Sequence, residues 1–74
     1  MELLKGEPQS ISKGDHVLTT ELNGGTASLQ YFVSGIAKTV PGSNVETEGV
    51  IVKLAAGKVQ ALITGGARVW LNEA

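Results

Sequence analysis

The chain has 74 residues, no cysteine and one histidine, which excludes disulfides, thiolate metal sites and any cluster of imidazoles. Six Lys/Arg stand against seven Asp/Glu, a formal charge of −1, so there is no basic surplus to drive binding to phosphates. Hydrophobic residues are 42% of the chain, yet a core this small rarely supplies more than ~3–5 kcal/mol, so some apolar surface is expected to face a partner.

Residues 1–14, MELLKGEPQSISKG, read as an N-terminal arm or an edge strand, because Gly6, Pro8 and Gly14 interrupt any longer element. The arm reading has Leu3, Leu4 and Ile11 docking on a neighbouring subunit or lattice, loose in the isolated protein. The first residues place an acid where a secretory signal wants positive charge, and no apolar run reaches the length of a membrane span. The expectation is therefore a protein without signal peptide or membrane contact.

Residues 15–74 read as one β-domain. Residues 15–22 alternate, with His16, Leu18, Thr20 and Leu22 on one face and Val17 and Thr19 on the other. Asn23-Gly24-Gly25 is a hairpin signal, because Asn and Gly tolerate positive φ. Residues 26–34 form the next strand, with Leu29, Tyr31 and Val33 on one face and Gln30, Phe32 and Ser34 on the other. Gly35 permits a bulge or bend before a short strand, Ile36 to Val40. Pro41-Gly42 fits the corners of a type II turn. The polar stretch through Glu46 and Glu48 reads as a boundary between halves 15–40 and 49–71. From Gly49 to Leu71, three apolar runs separated by Ala55-Ala56-Gly57 and Gly65-Gly66 predict a three-stranded antiparallel meander.

The halves resemble each other at a spacing of thirty residues, with Gln30/Gln60, Gly35/Gly65 and Ala37/Ala67 identical and Leu29/Val59, Phe32/Leu62, Val33/Ile63, Ser34/Thr64 and Lys38/Arg68 conservative. Duplication and the chance similarity of alternating β-sequence both produce such a match. The predicted fold is all-β: a small antiparallel sandwich or barrel of about six strands, built as two three-stranded units.

Little in the chain carries chemistry. Asp15-His16 is the one acid–imidazole neighbour pair, but no nucleophile elbow accompanies it and adjacent strand residues point to opposite faces. It reads as a surface acid followed by a half-exposed histidine, and no enzymatic activity, metal or cofactor is expected. The glycine pairs lack phosphate-loop spacing. Glu46, Glu48 and Asp15 are too few for a calcium loop. Tyr31 and Trp70 could stack on bases or sugars beside Lys38, Lys53 and Arg68, the pattern of small single-strand-binding barrels, but these cations are dispersed. The competing expectation has Phe32 in the core and Trp70 covering an interface or a barrel end. The candidate interface residues are Leu3, Leu4, Ile11, Tyr31 and Trp70.

The stretch AAGKVQALITGGARVWLNEA, and the glycine- and threonine-rich, cysteine-free texture from Asp15 to Ala74, resemble small β-rich virion proteins of tailed bacteriophages, such as capsid decoration (cement) proteins and minor neck or tail proteins. The resemblance implies a non-enzymatic role, a homo-oligomer (dimer or trimer) bound to a capsid or tail lattice, and a place in the virion or otherwise the cytoplasm. The rival expectations are a module for single-stranded nucleic acid, and a carbohydrate or small-ligand module using Trp70.

Overall fold

Every strand of this molecule lies in one of two four-stranded antiparallel sheets, and the chain changes sheet at nearly every turn. The computed structural model describes residues 1–33 and 35–74. The strands are β1 (Glu2–Leu3), β2 (Gln9–Ile11), β3 (Gly14–Glu21), β4 (Thr26–Val33), β5 (Ile36–Thr39), β6 (Thr47–Leu54), β7 (Gly57–Thr64) and β8 (Arg68–Glu73). Spatial order is β1-β8-β3-β6 in the first sheet and β2-β7-β4-β5 in the second. The fold is therefore an open sandwich of eight strands, not a closed barrel and not six strands. The expected last strand position of residue 34 lies outside the described residues.

The two faces read from the alternation are the two faces of the central strands, and the core takes one of them. His16, Leu18 and Thr20 of β3 point inward, as do Ala27 and Leu29 of β4, Val59 and Ala61 of β7, and Val69 and Leu71 of β8. Phe32 is not among them: it lies half-buried on the outer face of β4, paired with Ala37, and Leu29 and Val40 fill the interior instead.

The glycine turns form as their chemistry dictates, but they do different work from that expected. Asn23 (φ 48°) and Gly24 (φ 82°) make a tight turn closed by Gly25 N–H donating to Leu22 O at 2.7 Å. The strands on either side do not pair with each other. β3 pairs with β8 and β6, while β4 pairs with β7 and β5, so this turn is an arch from one sheet to the other. Gly65-Gly66 is a second arch, from β7 to β8, and Ala55-Ala56 carries the chain from β6 to β7. The meander predicted for residues 49–71 is therefore absent, because its three strands alternate between sheets.

The two glycine arches lie against each other. Asn23 Nδ2 donates to Gly66 O at 3.1 Å. A Cβ on Gly25 would overlap the Thr64 carbonyl oxygen, and one on Gly65 would come within 3.1 Å of Gly25 Cα. Thr26 N–H donates to Thr64 Oγ1 at 3.0 Å, and the two threonine hydroxyls share a 2.6 Å bond. Close approach of backbones, more than positive φ, is what requires glycine at 25.

The similarity of the halves has a geometric counterpart that is only partial. Gln30 pairs with Gln60 across β4 and β7, their amides bonded at 3.0 Å, and the flanking pairs Leu29–Ala61 and Tyr31–Val59 exchange under a local two-fold. β3 and β6 pair in the same symmetric manner. The symmetry ends at the third strands. After Gly35, β5 folds back on β4 within its own sheet, whereas after Gly65-Gly66, β8 crosses to the opposite sheet.

Val40 to Ser43 forms the type II turn expected from Pro41-Gly42, with Gly42 at φ 76° and Ser43 N–H donating to Val40 O at 3.2 Å. Ser43 Oγ, fully buried, donates to Val40 O and accepts from Leu29 N–H at 2.9 Å, so it continues the ladder of β4 where β5 has ended.

The N-terminal segment supplies an edge strand to each sheet instead of a free arm. β1 pairs with β8 and β2 with β7. Leu3 sits in the core with no exposed surface, while Leu4 beside it is 52% exposed. Adjacent strand residues point to opposite faces, and here the inward one is covered by the domain itself.

Two expectations follow. Gly25→Ala should lower stability by at least about 3 kcal/mol, since a methyl there must displace backbone, whereas Gly42→Ala should cost only about 1–3 kcal/mol of φ strain; urea denaturation of both variants measures this. Leu3→Ala should cost about 2–5 kcal/mol and Leu4→Ala less than about 0.5 kcal/mol, as read by thermal melts. Equal, small effects would return residues 1–4 to the status of a loose arm.

Candidate functional site

The core runs out on the side of the sandwich formed by β5 and β6. Val50 lies opposite Leu18 in the β3–β6 ladder and therefore on the inner face, yet it is 44% exposed where Leu18 is buried. The reason lies in the facing sheet. β5 has four residues, all exposed, so it does not cover the inner face of the eight-residue β6. Ile51, opposite Val17 on the outer face, is 55% exposed, and Ile36 at the start of β5 is 61% exposed. Val45, in the loop that joins the two strands, is also exposed. Both strands are sheet edges, and among the described residues nothing pairs with their outer sides.

One feature blunts the β6 edge. Gly49 (φ 66°) sits where the β3–β6 register shifts, and its N–H donates to Thr19 Oγ1 at 3.2 Å. Such a glycine bulge twists the strand and ends regular pairing. The apolar run Val50-Ile51-Val52 lies just beyond it.

Two other surfaces are built differently. On the outer face of the second sheet, a groove of ≈ 580 Å³ has Ser28, Gln60 and Leu62 among the β4 and β7 residues that line it, with Lys5 and Asn44 beside them. On the outer face of the first sheet, Arg68 grips Glu2 with two bonds, Nε to Oε2 at 2.8 Å and Nη2 to Oε1 at 2.9 Å, and its guanidinium lies 4.7 Å from the Trp70 ring centroid. The bidentate bond holds the Glu2 carboxyl below its usual range and raises Arg68. This cluster fastens β1 to β8.

The five candidate interface residues do not come together. Leu3 is core, and Ile11 and Tyr31 pack partly buried against the core. Trp70 is half-buried beside Arg68, and Leu4 alone is fully at the surface. The apolar flank was missed, although Val50-Ile51-Val52 is apolar on both faces and so exceeds what a one-sided edge strand can bury. Asp15 and His16 point to opposite faces, as alternation requires. His16, however, is buried at 2% exposure, not half-exposed, following Leu18 and Thr20 to the interior. Among the described residues, no three acidic or histidine side chains converge as a metal-ligand group, and Asp15 lies opposite Lys53, away from Glu46 and Glu48.

The Glu2–Arg68 pair makes a pH-dependent contribution. A carboxyl whose folded pKa is depressed stabilises above its ordinary range, and that contribution is lost as pH falls through the folded value. Wild type should therefore melt slightly above Glu2→Gln at neutral pH, the pair being solvent-exposed. The difference should vanish in acid well below the carboxylate range. Melting curves of both proteins across pH check this.

Comparison of the chain with protein-family models, with curated proteins and with solved structures gives no match.

Proposed function

We propose that this chain is a non-enzymatic structural domain that binds other protein through its β5–β6 flank, first of all a second copy of itself. The observation that carries this reading is that four large exposed apolar side chains, Ile36, Val45, Val50 and Ile51, belong to the two edge strands β5 and β6 and the loop that joins them. Unpaired sheet edges that carry exposed apolar side chains invite another chain. Covering each of these side chains removes apolar surface worth roughly 25 cal/mol per Å². The finer reading is a capsid decoration or minor neck or tail protein of a phage particle, supported by the glycine- and threonine-rich β texture and by a surface that suits packing on a lattice.

The single-stranded nucleic acid reading is the weaker rival. Arg68 is already held by Glu2 and Trp70, Tyr31 packs partly into the core, and Lys38 and Lys53 stand in different sheets. A small-ligand reading draws on the groove beside Leu62, where Gln60 and Asn44 could bond hydroxyls around an apolar floor. Trp70 takes no part in that groove, since it lies on the other sheet.

Light scattering at high micromolar concentration should show a dimer or trimer for wild type. Ile51→Lys combined with Val50→Lys should give a monomer with an unchanged circular dichroism spectrum. A wild-type monomer, or an oligomer indifferent to both substitutions, refutes assembly through this flank. Mass spectrometry of purified phage particles tests the virion assignment separately.

A further inference from the structure

At the end of the sandwich away from the glycine arches, the one histidine occupies an unusual position. His16 is 2% exposed, and its Nδ1 lies 3.0 Å from Gly14 O. A carbonyl oxygen can only accept, so Nδ1 carries the proton and Nε2 presents a lone pair. That Nε2 is buried and has no partner among the described residues. Buried imidazole nitrogens are normally satisfied, and an unpaired one points to a missing water, ion or ligand.

The surroundings specify what kind. His16 lies directly opposite Glu73 in the β3–β8 ladder, so the two side chains share a face at cross-strand distance. Both border a cavity of ≈ 200 Å³ that is also lined by Ser10 and Ser12. Ser12 Oγ donates to Glu73 Oε1 at 2.5 Å, which orients the carboxylate. Around the cavity stand an imidazole with an unpartnered ring nitrogen, a carboxylate and a hydroxyl, a set of groups suited to a cation. A histidine whose other ring nitrogen is tied to a backbone carbonyl is the arrangement that fixes tautomer and ring orientation in metal sites.

We propose that this cavity binds a divalent transition-metal ion of the zinc class, ligated by His16 Nε2 and the Glu73 carboxylate, with Ser12 positioning the carboxylate and solvent completing the shell. Imidazole nitrogen with carboxylate oxygen suits Zn²⁺ over Ca²⁺ or Mg²⁺, which prefer oxygen alone. Two protein ligands make the site modest in affinity. Because it ties the start of β3 to the end of β8, the ion would brace the end of the sandwich opposite the arches.

The test uses the uniqueness of His16, since every imidazole signal in the NMR spectrum belongs to it. Titration of the intact chain with ZnCl₂ in metal-free buffer should shift the His16 ring resonances and saturate near one equivalent, with a dissociation constant in the micromolar range. MgCl₂ at equal concentration should leave them in place. Glu73→Gln, at an exposed position that leaves the fold intact, should weaken zinc binding at least tenfold, while Glu48→Gln should not change it. His16→Gln should abolish binding; if that variant unfolds, the Glu73→Gln comparison still decides. Failure of the His16 resonances to move at millimolar zinc overturns the proposal, as does a shift of equal midpoint in wild type and Glu73→Gln.

Discussion

The contact between the two glycine arches sets the architecture. Each arch on its own is a four-residue turn that any hairpin could use. Pressed together, with Gly25 backbone against the Thr64 carbonyl and Asn23 bonded to Gly66, they cannot both remain hairpins. The chain leaving each turn is forced into the opposite sheet. β3 and β8 then pair in one layer, β4 and β7 in the other, and the buried faces of all four meet as the core. The outer strands are added to this central set, and on one side the four residues of β5 do not cover the eight of β6.

The sequence made strands legible and sheets illegible. Alternation located β3, β4, β7 and β8 and sorted their residues into two faces, because a period of two is a local property, but it did not say which face is inward. Turn chemistry was equally legible: Asn23-Gly24 and Pro41-Gly42 adopt the φ values their residue types favour. Neither says whether the flanking strands bond to each other. Arch and hairpin share the same local signals, and the choice lies in a contact between residues about forty positions apart, Gly25 and Thr64. The burial of Leu3 was hidden for the same reason, since it depends on pairing with Val69 near the other end of the chain.

The proposed binding surface was harder still. Aromatic residues and N-terminal leucines drew attention as interface anchors, yet Leu3 is core and Trp70 pairs with Arg68. The exposed flank consists of Ile36, Val45, Val50 and Ile51, ordinary strand residues whose pattern is the same whether a neighbouring layer covers them or not. The shortness of β5, four residues against eight in β6, leaves Val50 open, while Ile51 stands on the outer face of β6. His16 was misread as half-exposed. Alternation put it on one face with Leu18 and Thr20, but which face turns inward depends on the facing sheet, and a polar residue on an inner face implies a partner that the strand itself does not supply.

The account stands on the β5–β6 flank being covered in the associated protein. Amide hydrogen exchange measured at low and at high protein concentration tests this most directly. The account predicts that protection of residues 36–39 and 47–54 rises with concentration, while the central strands β3, β4, β7 and β8 keep the same protection throughout. Concentration-independent exchange across the flank, or added protection confined to another surface, would contradict it.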